Sequence, residues 1–301
     1  MHILIAGGTG QIGRPFCEAL LAAGHAVTLL SRSPGRAAPP AGANLAAWDG
    51  QTAQGWGALA AEVDAVVNLA GENISARQWS PAQKQAILNS RVQAGNALTA
   101  ALQAAPRRPR VLLQASAIGY YGSTGDLRLD ENSPADTGFF GQICTAWEDS
   151  TLAVEAMGVR RAVIRTGLVL TRTGGILSRV RLPVQFFAGG PLGSGRQWMS
   201  WIHIQDQVRA MCALLEDPRA SGVYNLTAPE PLTNADFTRT LARVLRRPYW
   251  LPAPAFALRL LLGEMSSLVL EGQRVLPARL VASGFSYQFS ALEPALRDLL
   301  L

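Results

Sequence analysis

Apolar and polar positions in the first half of the chain alternate between short continuous runs and longer helical repeats. The apolar runs cover 2–6, 26–31, 64–70, 111–116 and 162–170. Helical spacing of apolar residues covers 15–23, 81–104 and 145–157. Strands that alternate with helices are typical of a parallel sheet covered on both faces. The pattern therefore predicts an α/β fold with a doubly wound, Rossmann-type sheet.

The alternation breaks near residue 171. Glycines cluster between 174 and 195, and helical patterns return over 204–216 and 234–245. Pro248-Tyr249-Trp250-Leu251-Pro252 is typical of a linker, and the tail beyond it has a mainly helical pattern. We predict a Rossmann domain over 1–247, with substrate-lobe insertions after about 171. A small, mostly helical C-terminal substrate lobe is predicted over 248–301.

A glycine-rich turn joins the first predicted strand to the first predicted helix. Its three glycines, Gly7, Gly10 and Gly13, have the spacing G-x-x-G-x-x-G. Such glycines permit a tight turn, a close backbone approach to a pyrophosphate, and close packing of helix on sheet. The helix N-terminus then presents its positive end to the phosphates. The turn is predicted to bind a dinucleotide through Gly7, Thr9, Gly10, Gln11, Ile12 and Gly13.

The end of the second strand indicates which dinucleotide is bound. An NAD site would carry an acidic residue there, about 20 residues after the turn, whereas this chain has Ser31-Arg32-Ser33. The Arg32 guanidinium suits a 2′-phosphate and Ser31 can donate as well, so NADP(H) is the predicted cofactor. The alternative is that Arg32 is solvated or stacks on adenine without discriminating. Asp49, near the end of a possible third strand, is a candidate adenine contact.

Composition and charge exclude several other classes of protein. The net charge is +6, but the arginines are scattered rather than clustered, so no nucleic-acid partner is predicted. Three distant cysteines give no metal or redox spacing and suit a reducing cytosol. The apolar run at 3–6 is too short for a signal peptide, and no run approaches the ~20 residues of a membrane helix. The expected location is cytoplasmic, with no membrane partner and no metal; the sequence leaves the oligomeric state open.

Several motifs, in order along the chain, resemble the extended short-chain dehydrogenase/reductases, which include sugar-nucleotide epimerases and dehydratases. They are the glycine turn, 68–71 (Asn-Leu-Ala-Gly), 116–122 (Ser-Ala-Ile-Gly-Tyr-Tyr-Gly), 165–167 (Arg-Thr-Gly) and 201–206 (Trp-Ile-His-Ile-Gln-Asp). The stretches 69–74, 140–148, 263–265 and 271–275 resemble one atypical subgroup, the "epimerase family protein" set with a C-terminal domain of unknown function. The resemblance covers essentially the whole chain.

The resemblance implies further cofactor contacts. It places Leu69, Ala70 and Gly71 under the cofactor and Arg165 beside it. Arg91 stands where relatives carry a helix Asn that touches the cofactor, and an arginine there reaches a phosphate or ribose unless it lies on the helix surface. Glu72 either faces the substrate as an acid/base or caps the following turn.

The usual catalytic pair of the resembled family is missing. That chemistry uses Tyr and Lys spaced Y-x-x-x-K on one helix, with the lysine lowering the tyrosine pKa. Here Phe140 and Cys144 stand at the two positions. The candidate replacements are Ser116, at the end of its strand, and Tyr120 or Tyr121, between which the sequence does not choose. The alternative is that one tyrosine packs against the nicotinamide and neither titrates.

Two more side chains are candidates for the substrate pocket. His203 is a general base or a structural residue at a helix start, and Trp198, with Trp201, lines the pocket or packs in the core. Three functions follow from the sequence: an NADP(H)-dependent oxidoreductase on a small carbonyl or hydroxyl substrate, a non-catalytic NADP-binding sensor or scaffold, and a sugar-nucleotide epimerase or dehydratase. The missing Tyr–Lys pair counts against the third.

Overall fold

The computed structural model describes residues 1–35 and 38–301. Its strands, in chain order, are β1 His2–Ala6, β2 Ala26–Ser31, β3 Asn44–Ala47, β4 Ala65–Asn68, β5 Val111–Ala117, β6 Arg128–Leu129, β7 Arg160–Thr166, β8 Leu168–Leu170, β9 Trp198–Met199, β10 Trp201–His203, β11 Gly222–Leu226, β12 Leu232–Thr233 and β13 Arg274–Val275.

The α-helices are α1 Gly13–Ala22, α2 Pro81–Ala104, α3 Phe139–Asp149, α4 Gly175–Gln185, α5 Ile204–Glu216, α6 Asn234–Val244, α7 Ala255–Leu262, α8 Ser267–Leu270, α9 Ala278–Ala282 and α10 Leu292–Leu300. Short 3₁₀ helices cover Gly57–Ala61, Ile118–Tyr121, Leu152–Met157 and Gly263–Ser266.

The central sheet has seven parallel strands in the order β3-β2-β1-β4-β5-β7-β11. Ile5 of β1 pairs with Leu29 of β2 on one side and with Val67 of β4 on the other. The strand order reverses between β1 and β4, and the crevice outside the carboxyl ends of the strands at such a point is where open α/β sheets bind ligands. The predicted doubly wound Rossmann-type fold is confirmed.

Both faces of the sheet are buried, which explains why its strands are almost continuously apolar. Ile3 and Ile5 of β1 face a core shared with α1 and α5, whereas Leu4 and Ala6 face a core shared with α2. The strand period of two therefore places alternate side chains of one strand in different cores.

Two predicted elements differ from the structure. The helix predicted over 145–157 begins earlier, at Phe139, and ends at Asp149, where Ser150 donates its hydroxyl to the Trp147 carbonyl and a 3₁₀ turn follows. The strand predicted over 162–170 breaks at Gly167, because a Cβ there would lie 2.5 Å from the Ser200 carbonyl oxygen. The chain changes partner at this glycine, since β7 pairs with β5 and β11, and β8 with β10.

The C-terminal part is mainly helical, as predicted, and is attached to the rest of the molecule at several places. β13 pairs with β6, Ser200 bonds to residues on either side of Arg274, and α10 shares a core with α6 through Phe237, Leu241 and Leu296. The predicted boundary after residue 247 falls between α6 and α7. None of the helices described is both long and apolar enough to span a membrane.

Candidate functional site

The glycine turn lies at the carboxyl end of β1, beside the point where the strand order reverses. Gly7 has φ +82°, and a Cβ there would lie 2.6 Å from the Leu69 carbonyl. A Cβ on Gly13, the first residue of α1, would lie 2.3 Å from the Gly7 carbonyl oxygen. A Cβ on Gly10 meets only that same oxygen, at 3.3 Å, so Gly10 is exposed toward the adjoining cleft. Gly7 and Gly13 therefore hold the turn against its neighbours. Gly10 places no side chain between the turn and the cleft, while its N–H donates to the Gly7 carbonyl and its carbonyl accepts the Arg14 N–H.

A cleft of about 640 Å³ runs along this end of the sheet. It brings together ten of the predicted residues, namely Gly7, Thr9, Gly10, Ser31, Arg32, Asp49, Leu69, Ala70, Gly71 and Glu72. Gln11 and Ile12 do not line it. The Gln11 side chain donates to the Thr171 hydroxyl at 2.7 Å, and Ile12 packs on the core at the start of α1. These two residues attach the turn to its surroundings.

Arg32 lies at the end of the cleft nearest β2. Its side chain is exposed, its aliphatic part packs beside Gly50, and it forms no ion pair within residues 1–35 and 38–301. Asp49 faces the same cleft, but its carboxylate accepts hydrogen bonds from the backbone N–H groups of Gln51 and Thr52 and from the Thr52 hydroxyl. The bonds from Thr52 hold the pKa of Asp49 below its usual range. Asp49 therefore shapes a turn at the rim, and Arg32 is available to an anion.

The residues present fit a dinucleotide. The N-terminus of α1 suits a pyrophosphate, and the missing side chain at Gly10 leaves room for it to approach. The unpaired guanidinium of Arg32 at the far end suits a 2′-phosphate. Gly71 stands at the opposite end, where a Cβ would lie 3.1 Å from the Arg91 guanidinium carbon.

A second cavity, of about 480 Å³, lies on the other side of Arg91. Trp79, Phe139 and Phe140 pack against one another there, with ring centroids 5.3–5.5 Å apart. Residues of the C-terminal part, between Glu264 and Gln273, form the opposite wall. The cavity, which we call the aromatic cavity after this cluster, is mainly apolar and is completed by the C-terminal segment.

Arg91 lines the second cavity and lies beside Gly71, which lines the dinucleotide cleft. It stacks 4.8 Å from the centre of the Trp147 ring, and its Nη1 donates to the carbonyls of Glu72 and Ile87 at 3.1 and 3.0 Å. Its Nε and Nη2 donate to none of the described residues. Burial lowers the pKa of Arg91, but an arginine keeps its charge at neutral pH. The predicted cofactor contact of Arg91 therefore stays a prediction, since its side chain lines the second cavity and not the dinucleotide cleft.

Phe140 and Cys144, at the positions of the missing Tyr–Lys pair, both line the aromatic cavity. Burial raises the pKa of Cys144 to about 11, so the thiol is neutral at pH 7. Neither residue supplies a fixed charge or a phenol to this cavity.

Ser116 and Tyr121 lie behind the cavity wall in a buried polar network. The Ser116 hydroxyl donates to Glu148 at 2.6 Å, and Arg165 holds both carboxylate oxygens of Glu148 at 2.8 and 2.9 Å. Arg165 also donates to the Tyr121 hydroxyl, which donates to Asn225 at 2.8 Å. Burial raises the pKa of Tyr121 to about 12.

This network does not support the predicted catalytic role of Ser116 and Tyr121, or the predicted cofactor contact of Arg165. Their polar atoms are bonded to one another, and none of the three residues lines either cavity. Tyr120 stacks on Arg165, whose guanidinium carbon lies 3.3 Å from the centre of the Tyr120 ring. Tyr120 lines neither cavity. The predicted cluster of Ser116, Tyr120 and Tyr121 is therefore present, but its side chains pack behind the wall of the aromatic cavity.

Glu148 is the central residue that sequence reasoning missed. It is buried on α3 between Ser116 of β5 and Arg165 of β7. The available signal was an arginine inside an apolar strand, because a buried charge requires an opposite charge nearby. The sequence does not show which acidic residue provides it.

The three substrate candidates lie in different places. Trp198 lines the aromatic cavity, where its indole N–H donates to Asp126 at 2.8 Å. Glu72 faces the dinucleotide cleft instead. His203 lines neither space: it is fully buried, accepts the Gln205 N–H at the start of α5 and stacks on Phe289, with ring centres 3.9 Å apart. Its position corresponds to the structural alternative.

The fold and the glycine turn define an NAD(P)-binding protein of the short-chain dehydrogenase/reductase superfamily. The chain belongs to the NAD dependent epimerase/dehydratase family, whose profile matches residues 3–162 and 177–227. Residues 253–299 match a domain of unknown function, DUF1731. This agrees with the resemblance that the motifs indicated.

Proteins of similar length match from end to end. Epimerase family protein YfhF of Bacillus subtilis is 38% identical over 100% of this chain and 98% of its own. Epimerase family protein ML0860 of Mycobacterium leprae is 40% identical, covering 98% and 94% of the two chains. Human epimerase family protein SDR39U1, crystallised with NADPH, has a TM-score of 0.89 at 36% identity and 99% coverage of both chains.

Proposed function

We propose that this protein is an NADP(H)-dependent oxidoreductase that acts on a small carbonyl or hydroxyl substrate with a flat, apolar body. The observation that carries the proposal is the proximity of two spaces, because Gly71 of the cleft lies beside Arg91 of the aromatic cavity. A cleft suited to a dinucleotide ends where an aromatic cavity begins. A protein that only sensed cofactor occupancy would have no need of the second cavity.

The proposed preference for NADP(H) rests on Arg32 and on the lack of an acidic residue beside it in the sequence. No acidic residue stands at the end of β2, where a carboxylate would accept a ribose hydroxyl and repel a phosphate. The guanidinium of Arg32 is unpaired among the described residues. The crystal structure of human SDR39U1 with NADPH agrees with this preference.

A bound nicotinamide supplies or accepts the hydride at the carbonyl carbon. Arg91 is the residue that we expect to act on the substrate, because its free Nε and Nη2 donors are suited to a carbonyl oxygen that gains negative charge. Trp79 and Phe140 would hold the apolar body of the substrate. With Phe140 and a neutral Cys144 in place of tyrosine and lysine, the alcohol proton would come from solvent.

The experiment is a screen of aldehydes, ketones and quinones with the purified protein and NADPH, followed by loss of NADPH absorbance. Arg91→Gln should lower turnover about 10²–10³-fold, in the range for loss of one transition-state donor. The matched control is Lys84→Gln, since Lys84 lines the same cavity but is paired with Glu264. Ser116→Ala is a second control, because its hydroxyl bonds Glu148 behind the wall.

Tight NADPH binding with no turnover of any carbonyl or alcohol would favour the sensor instead. A large loss of turnover in Ser116→Ala, with Arg91→Gln near normal, would return the catalytic role to the hydroxyl cluster.

A further inference from the structure

A surface formed by α7, the end of α4 and the linker after α6 is unusually apolar for a solvent-facing region. Phe186, Phe256, Leu260 and Leu261 are 74%, 73%, 88% and 72% exposed, and no residue of α7 is buried. Phe187 and Trp250 are also mainly exposed. We call these six residues the apolar face. Large apolar side chains exposed in this number, on segments joined by the hydrogen bonds described next, are typical of an interaction site.

The apolar face is held together by specific contacts. The Trp250 indole N–H donates to the Phe187 carbonyl at 2.8 Å, and its backbone N–H donates to Gly189 at 2.8 Å. Arg247 stacks 4.7 Å from the centre of the Phe187 ring. Ala253 then bonds to Pro191 and Gly193, and α7 begins two residues later. The exposed aromatic rings are therefore presented by an ordered framework.

Two residues on or beside the apolar face have an unusual backbone conformation, which favours a functional role for their side chains. Within residues 1–35 and 38–301, Phe187 and Arg246 are the non-glycine residues with positive φ, at 63° and 53°. Each follows the end of a helix, α4 or α6, at a position that glycine usually occupies. A bulky residue in this conformation is unfavourable. Both exceptions lie on or beside the apolar face.

The two stretches of chain that carry the apolar face are basic, and Glu264, the acidic residue that follows α7, is paired with Lys84. Residues 175–205 contain three arginines and residues 237–263 contain five, and neither stretch contains an acidic residue. Arg246, Arg247 and Arg259 are exposed, and none of them forms an ion pair within the described ranges. A second copy of this chain docked on the same face about a two-fold axis would bring these arginines toward one another. The complementary partner is apolar and anionic.

We propose that this surface binds peripherally to a membrane that contains anionic lipids. Phe256, Leu260 and Trp250 would enter the boundary between headgroups and acyl chains, and Arg246, Arg247 and Arg259 would contact the lipid phosphates. Aromatic and leucine side chains beside arginines are the composition of surfaces that lie on bilayers. α7 is too short to cross the bilayer, so it lies in the interface.

The test is co-sedimentation of the full chain with vesicles. One set contains phosphatidylcholine with an equal amount of phosphatidylglycerol, and the other contains phosphatidylcholine alone. We expect binding to the mixed vesicles that weakens with salt, and little binding to the neutral ones. Arg246→Gln with Arg247→Gln should weaken binding about 25-fold, at roughly fivefold for each charge. Phe256→Ser with Leu260→Ser should abolish it.

Matched variants separate binding from folding. Arg219→Gln and Leu152→Ser change an exposed arginine and an exposed leucine elsewhere and should bind like the unchanged protein. Phe187→Gly should weaken vesicle binding while the melting temperature is kept or raised, because glycine relieves the positive φ.

Equal binding to both vesicle types, or no binding to either, would overturn the proposal. No vesicle binding together with a dimer that the Phe256→Ser, Leu260→Ser variant dissociates would assign the face to a second copy. No vesicle binding together with direct binding to an acidic protein would assign it to that class of partner.

Discussion

Single side chains decide the chemistry of this molecule, and Arg32, Arg91 and Arg165 show how differently one residue type is used. Arg165 is buried and holds both oxygens of Glu148, so its charge is satisfied inside the wall. Arg91 donates through Nη1 to two backbone carbonyls, and its Nε and Nη2 donate to none of the described residues. Arg32 is exposed at the cleft. Only the surroundings separate a structural arginine from one that can bind a ligand.

Arg32→Asp should change the preferred cofactor from NADPH to NADH. The charge-assisted contact to a 2′-phosphate contributes about 1.5–3 kcal/mol, so NADPH affinity should fall roughly tenfold to a hundredfold. The new carboxylate should repel the phosphate and accept a ribose hydroxyl. Fluorescence titration with both cofactors measures the change, and Arg108→Asp, an exposed site near Met157, is the control. Equal affinities of the unchanged protein for NADPH and NADH would contradict the assignment.

Stability should decrease as the pH falls below about 6.5, the ordinary pKa of histidine, in part because of His203. Burial lowers the pKa of His203 in the folded protein, although Asp298 and Asp206 oppose this shift. Below its ordinary pKa the unfolded chain binds a proton that the folded chain does not, so folding becomes less favourable down to the folded-state pKa. His203→Asn, which can still accept the Gln205 N–H, should flatten this part of the curve of melting temperature against pH. An unchanged curve would show that other groups cause the dependence.

At the scale of elements, local pattern predicts well where one period extends over a whole segment. The boundaries predicted for β1, β2, α2 and α5 are those observed, because each has a clear period and a clear end signal. α2, for example, starts after Ser80, whose hydroxyl accepts the Gln83 N–H. The break at Gly167 was not predictable, since it depends on the approach of Ser200 from a distant part of the chain.

The candidate site also has one part that local sequence predicts and another part that depends on distant contacts. The glycine turn and the end of β2 lie within one βαβ unit, so their place at the cleft follows from local sequence. The Ser116–Glu148–Arg165–Tyr121 network joins β5, α3, β7 and a 3₁₀ turn, and only the packed sheet decides which way those side chains point. Sequence position alone suggested that Ser116, Tyr121 and Arg165 lie at the cofactor, whereas in the structure they lie behind the wall with Glu148.

The glycine turn predicts two different outcomes for two glycine substitutions. Gly10→Val should keep the protein folded and remove NADPH binding, because its Cβ meets only the Gly7 oxygen at 3.3 Å and the side chain extends into the cleft. Gly13→Val should lower stability, because its Cβ would lie 2.3 Å from the same oxygen. Circular dichroism and calorimetric titration separate the two effects. Undiminished NADPH binding by Gly10→Val would refute the phosphate-loop assignment.

At the scale of the whole molecule, the two spaces depend on different parts of the chain. The dinucleotide cleft is lined by residues 7–93 alone, whereas the aromatic cavity takes one wall from residues 264–273. The C-terminal part therefore completes the proposed substrate site without contributing to the cofactor site. Its attachment to the Rossmann core includes Asp206 of α5, whose buried carboxylate accepts the backbone N–H groups of Gln288 and Phe289 at 2.8 Å each.

Asp206→Ala tests this division of labour. The substitution leaves two backbone donors without their acceptor, and each such loss costs about 1–3 kcal/mol, so the free energy of unfolding should fall by about 3 kcal/mol. Asp217→Ala, at an exposed carboxylate just after the same helix, is the matched control and should change stability little. Amide hydrogen exchange should accelerate over 285–301 in Asp206→Ala, while the affinity for NADPH stays close to that of the unchanged protein. Because the cleft lies wholly within the N-terminal half, a parallel loss of NADPH affinity would show that the C-terminal part also supports the cofactor site.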